Sequence, residues 1–200
     1  MGVTNFDIIQ ANNYLGLPAS GPGGGGESSE ETTGATFYVS NSTTLPVGGT
    51  AGANLPGLGT TPLQPFATLV YALTRTTAGR GDRIVLMPGH SETYTAVAAI
   101  TTAGINIIGQ GQGASKPTFL NTAAADLFSV DAANVEISGI RFSASTTATS
   151  TARINITAAD CRVHACTFLC GANDPETITL TGTGDNAEIF QNEFRVTANG

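Results

Sequence analysis

Three charged residues open the chemical reading of this chain. Glu136, Arg162 and Glu188 recur at intervals of 26 residues, each one position into a short apolar run. If each occupies the same place on successive coils of a chain, the two carboxylates stand about 9–10 Å apart, two strand spacings. That is near the upper end of the separation used by inverting glycosidases, in which one carboxyl protonates the leaving oxygen and the other activates water. Arg162 falls between them, where sugar and water would have to sit. The trio therefore reads as a ladder of alternating charge on a solvent face, contributing roughly a few tenths of a kcal/mol per exposed pair. His90, in Pro88–Gly89–His90–Ser91–Glu92, offers a general base beside a carboxylate, but a turn residue after Pro–Gly is the ordinary case. The chain has no Trp and four Tyr, so it lacks the aromatic platforms of most sugar clefts. No catalytic residue is assigned.

Other motifs carry less. Cys161, Cys166 and Cys170 are an odd set without a CxxC pair, and His164 lies among them. Cys161 aligns with Val135 and Cys166 with Ile140 in the repeat, which makes them small core residues rather than metal ligands. Gly109–Ala114 reads GQGQGA after a strand, but Pro117 stands where a dinucleotide-binding helix would have to continue. Arg80–Gly81–Asp82 spells an adhesion tripeptide, and a Gly–Asp turn before a buried strand explains it. No metal and no cofactor are expected.

The elements that would position these residues repeat. VEISGIRF at 135–142, CRVHACTF at 161–168 and AEIFQNEF at 187–194 keep Ile137, Val163 and Ile189 in register, and likewise Phe142, Phe168 and Phe194. A second run precedes each: LFSV at 127–130, INIT at 154–157 and ITLT at 178–181. Short β runs at a fixed period, separated by Gly, Asn and Asp turns, specify a β-helix. INIIG at 105–109 is an earlier copy, with GQGQGASKP as its insertion. RIVLM at 83–87 and FYVSN at 37–41 read as the first strands. Both three-member columns are expected to be buried. Phe66, Leu69, Val70 and Leu73 fall at i, i+3, i+4 and i+7, the stripe of an amphipathic helix over about 65–78 that covers the first coil. At the other end, Asn192 interrupts the column of Ile140 and Cys166, and nothing in the tail 195–200 can cover the lower edge.

The expected fold is all-β: a short right-handed parallel β-helix over 35–200, with an N-terminal capping helix and an extended N-terminal arm over 1–34. The arm carries Phe6, Ile8, Ile9, Tyr14, Leu15 and Leu17, followed by prolines, Gly23–Gly26 and an acidic stretch. It is too short to bury those side chains alone, so it reads as a tethered partner-binding segment. A net charge of −7, with one lysine, excludes a nucleic-acid footprint. No apolar run approaches a membrane span. No basic region followed by an apolar stretch marks a signal peptide, so the chain is expected to be made and kept in the cytoplasm, or to leave it by lysis or within an assembly.

AGRGDRIVLMPGHSETYT, GINIIGQGQGASKPTF and NVEISGIRF together resemble the pectin-lyase-like parallel β-helix proteins of tailed bacteriophages, over roughly residues 36–200. The resemblance implies a virion component, a capsid decoration protein above all, forming a homotrimer and located in the end in the virion. The arm would then dock on the major capsid protein or another virion protein. A tail appendage that binds or degrades host surface glycan is the alternative. Lyases of this kind use Ca²⁺-binding acids and an Arg base on one sheet. Arg162 between two glutamates does not match that set, so their activity is not carried over.

Overall fold

The computed structural model describes residues 34–44, 46–122, 124–144, 152–171 and 177–196. The chain divides into Met1–Thr32 and Thr33–Gly200, and all that follows concerns the second unit. The arm residues Phe6, Ile8, Ile9, Tyr14, Leu15 and Leu17 lie outside the described residues.

Among the described residues, fifteen short strands wind into a parallel β-solenoid of about four turns with three sheets. The first sheet stacks β1 (Thr36–Val39), β2 (Arg83–Leu86), β5 (Asn106–Gly109), β8 (Glu136–Ser138), β11 (Arg162–His164) and β14 (Glu188–Phe190). The second stacks β3 (Ser91–Tyr94), β6 (Thr118–Asn121), β9 (Arg141–Phe142), β12 (Thr167–Cys170) and β15 (Glu193–Val196). The third stacks β4 (Ala98–Ile100), β7 (Phe128–Val130), β10 (Ile154–Ile156) and β13 (Ile178–Leu180). The expected register holds in the first two sheets. Val163 pairs with Ile137 and Ile189, Phe168 with Phe142 and Phe194, and Ile154 with Phe128 and Ile178.

The corners explain how a Thr- and Ala-rich chain keeps this winding. Asn134, Asp160 and Asn186, again 26 apart, all have φ near +58°, and each stands two residues before a strand of the first sheet. Left-handed backbone is tolerated by Asn and Asp because their short polar side chains bond locally. Gly81 and Gly104 take the same place on the earlier coils, with φ of 75° and 71°. At the next corner Gly109 and Gly139 face each other so closely that a Cβ on either would collide with the other's carbonyl. The first glycine of GQGQGA therefore serves coil packing, and a 3₁₀ turn at Gly113–Ser115 occupies the place of the excluded helix.

Two expectations need correction. The covering helix, α1, spans only Leu69–Leu73 instead of 65–78. Phe66 is taken by strand-like pairing: it bridges to Val39, its N–H goes to the Tyr38 carbonyl, and its own carbonyl receives the Ser40 amide. Beyond Leu73, the Thr74 and Thr76 hydroxyls bond back to the Tyr71 and Leu73 carbonyls and close the helix. Leu69 and Ala72 are buried while Val70 is exposed, and α1 packs on β1, β2 and β4 at the N-terminal end. The second correction concerns the last coil. Phe142 and Phe168 are buried as expected, but Phe194 is 55% and Ile189 39% exposed. Both lie on edge strands that have no further neighbour among the described residues, so stacking covers only one face of each side chain.

Candidate functional site

The charge ladder forms, with different partners from those expected. Glu136, Arg162 and Glu188 are in register on the outer face of the first sheet, below Asn106. Arg162 Nε donates to Glu188 Oε2 at 2.7 Å, both side chains being more than half exposed. Glu136 turns instead to His164, with Oε1 3.1 Å from Nε2. Alternation puts His164 and Phe190 on the same outer face, two residues beyond Arg162 and Glu188. Their rings stack at 4.8 Å and 8°. The ladder, with the corner residues Asn134, Asp160 and Asn186, lines a groove of about 330 Å³. It holds carboxamides, carboxylates and one guanidinium, with the His164–Phe190 stack on the same face of the sheet. This platform is built of His and Phe rather than the Trp or Tyr usual in sugar clefts. Its signal was the i+2 position after each ladder residue.

His90 and Glu92 are also brought together, and both are committed to structure. His90 is buried, its Nδ1 accepts the Asn41 amide at 3.1 Å, and its Nε2 lies 2.7 Å from Glu92 Oε1. With Nδ1 accepting, Nε2 carries the hydrogen that reaches the carboxylate. The same Oε1 receives the Leu69 amide at 2.7 Å, at the start of α1. The pair thus ties β1, β3 and α1 together and has no ring nitrogen left for substrate.

Asp82 answers the adhesion tripeptide. Its carboxylate is fully buried and accepts from the Ala35 and Thr77 amides and from Arg80 Nε and Nη2, all within 2.8 Å. Burial raises its pKa, but the Arg80 guanidinium and the two amides outweigh burial and hold it below the usual aspartate value. No receptor can reach this carboxylate in the folded chain.

The thiols of Cys161 and Cys166 are buried in the core, as their alignment indicates. Burial pushes both up, Cys166 to about 11. Asn192, the break in that column, accepts the Cys166 amide and donates to the Val163 carbonyl, so its polarity is used. No group of three metal-ligating side chains occurs among the described residues. A thiol reagent applied at pH 8 should leave Cys161 and Cys166 unmodified in the native chain and label them on unfolding. Intact mass measured before and after denaturant checks this, since thiolate rather than thiol reacts.

No protein-family model, no curated protein and no solved structure matches this chain. Among the described residues no helix is long and apolar enough to cross a membrane.

Proposed function

We propose that this chain is a non-catalytic structural protein of a tailed-bacteriophage virion, of the capsid decoration type. It would assemble as a trimer and be anchored through residues 1–34. One observation carries the reading. The buried pairs His90–Glu92 and Arg80–Asp82, whose groups could do chemistry, are spent on holding the first coils. The resemblance to phage β-helix proteins supplies the virion. The arm's six apolar side chains, on a glycine-rich spacer, supply an anchor that three copies would strengthen by avidity. The test is copurification. The full chain should travel with assembled capsids at fixed stoichiometry, and deletion of residues 1–26 should abolish this while the solenoid stays folded. Binding by the truncated chain equal to that of the full chain would remove the arm as anchor.

A second reading rests on the groove. Phe190 stacked on His164, beside a row of carboxamides and carboxylates, has the chemistry of a glycan contact: a flat apolar face and planar hydrogen-bonding groups. Reducing-end release from host capsule or pectate that disappears in Glu136→Gln would turn the function to polysaccharide degradation. Binding without release, lost in Phe190→Ala, would turn it to glycan attachment.

A further inference from the structure

The corner between the first and second sheets differs from coil to coil. β5 connects to β6 over 110–117, most of the GQGQGASKP insertion, whereas the next two corners span only 139–140 and 165–166. The extra chain overhangs the outer face of the second sheet and encloses a pocket of about 220 Å³ against it. The wall of this pocket is the outward column Arg141, Thr167 and Glu193, in register on β9, β12 and β15, with Arg195 beside it. Alternation turns these side chains away from the core that holds Phe142 and Phe168.

The pocket gathers positive charge in an acidic chain. It holds three of the eight lysines and arginines, although the net charge is −7. Lys116, the single lysine, reaches past the coil of Arg141: its Nζ donates to the Ala165 carbonyl at 2.8 Å and to the Thr167 hydroxyl at 3.1 Å. Arg141 Nη2 donates to the Gly113 carbonyl on the overhanging loop. These acceptors are neutral, so they fix both cations in place without cancelling their charge. Arg195 is different, because its Nε meets Glu193 Oε1 at 2.7 Å. Glu193 also accepts from the Thr167 hydroxyl at 3.4 Å. The Arg195 hydrogen bond above all, then Thr167 and the Lys116 charge, hold the Glu193 carboxyl below its usual range. The one carboxylate of the pocket is thus ionised and engaged with Arg195. Arg80 and Arg162 likewise have Asp82 and Glu188. Lys116 and Arg141 have no ion-pair partner among the described residues, so two positive charges stand uncancelled.

Two like charges held side by side repel unless an anion answers them. Donors remain for one: Lys116 has a third N–H, and Arg141 uses one of its five. They come from a loop and a strand rather than from a single plane, which suits a tetrahedral oxyanion better than a flat carboxylate. We propose that this corner pocket binds a phosphate group, with Lys116 and Arg141 as its cationic ligands and the insertion 110–117 as its roof. The dianion matches the two uncancelled charges. The site lies on the outer wall of the second sheet, apart from the groove of the first, and is independent of the virion reading.

The test is a titration of the ¹⁵N-labelled full chain with sodium phosphate at constant ionic strength. At pH 8 the group is a dianion, its second ionisation lying near about 6. The amides of 111–113 should shift along a saturable curve, and sodium acetate should not reproduce it. Arg141→Gln and Lys116→Gln should each weaken phosphate binding at least about tenfold, the worth of one charge-assisted hydrogen bond. Arg83→Gln removes an exposed arginine from the first sheet, with the same change of net charge, and should leave binding unchanged. Lys116 also ties two corners together, so urea midpoints of the variants are measured first. Arg141→Gln can keep the Gly113 contact through its amide, and it decides the matter should Lys116→Gln unfold. Glucose 6-phosphate separates the sources: tighter binding than inorganic phosphate means a sugar phosphate, equal or weaker binding the free ion, and either upholds the site. Shifts that never saturate, acetate bound as tightly as phosphate, or equal weakening by Arg83→Gln overturns the proposal, as does undiminished binding by Arg141→Gln.

Discussion

Phe168→Ala should cost about 3–5 kcal/mol of folding stability, the range for truncating a fully buried aromatic side chain. Phe168 is the middle ring of three. It stacks on Phe142 at 4.8 Å and 7° and on Phe194 at 5.1 Å and 12°, and is almost wholly buried. Parallel coils hold identical positions one strand spacing apart, so the cavity left by its loss has ladder backbone above and below and collapses poorly. Phe142 in turn meets Phe128 edge-on at 5.5 Å, so the hole opens beside a second row of rings. Phe194→Ala supplies the internal control. Its ring is half covered and should lose much less. Urea denaturation of both variants measures the difference. Equal losses would mean that the last ring is as well covered as the middle one.

Asp82→Ala is expected to remove about 3 kcal/mol, the lower end for losing one member of a buried ion pair, because Arg80 reaches solvent and can rehydrate. The larger part of the loss falls on the backbone. The Ala35 and Thr77 amides both end on this carboxylate, and without it the start of β1 and the segment after α1 lose their common anchor. The effect has a pH signature of fixed sign. A carboxylate held below its ordinary value in the folded chain contributes stability that is complete above the unfolded value, about 3.9. That contribution fades as pH falls through the lower folded value. The stability gap between wild type and Asp82→Ala should therefore be flat near neutrality and narrow below about pH 4. Denaturation series at several pH values read it directly, and a gap that widens in acid would contradict the assigned ionisation.

What the sequence revealed and what it hid divide along a physical line. Register was legible because a period-2 pattern with a 26-residue repeat leaves one solution that keeps Ile137 on Val163 and Phe142 on Phe168. The extent of α1 was not, because the apolar stripe through Phe66 is equally good as a bridge partner for Val39, and that pairing depends on contacts far along the chain. The ladder positions were legible too, since each follows its corner by two residues. The choice of Glu136 for His164 over Arg162 was not, because it depends on side-chain reach across the sheet. Burial of Phe194 and Ile189 was overestimated for a simple reason: sequence alignment treats the last rung like the others, while only a following coil would cover it. Asp82 was recognised as a turn residue, yet its four donors come from residues 35, 77 and 80, only one of which lies in the tripeptide.

The clamps on the first coil also give the described body a direction of wear. Coils in a solenoid rest only on their neighbours, so opening proceeds by successive release from whichever end is least held. Here the first coil is clamped by α1, Asp82 and the His90–Glu92 link, and the last has no such clamp among the described residues. A chain trimmed by one coil presents Val163 and Phe168 where Ile189 and Phe194 had been.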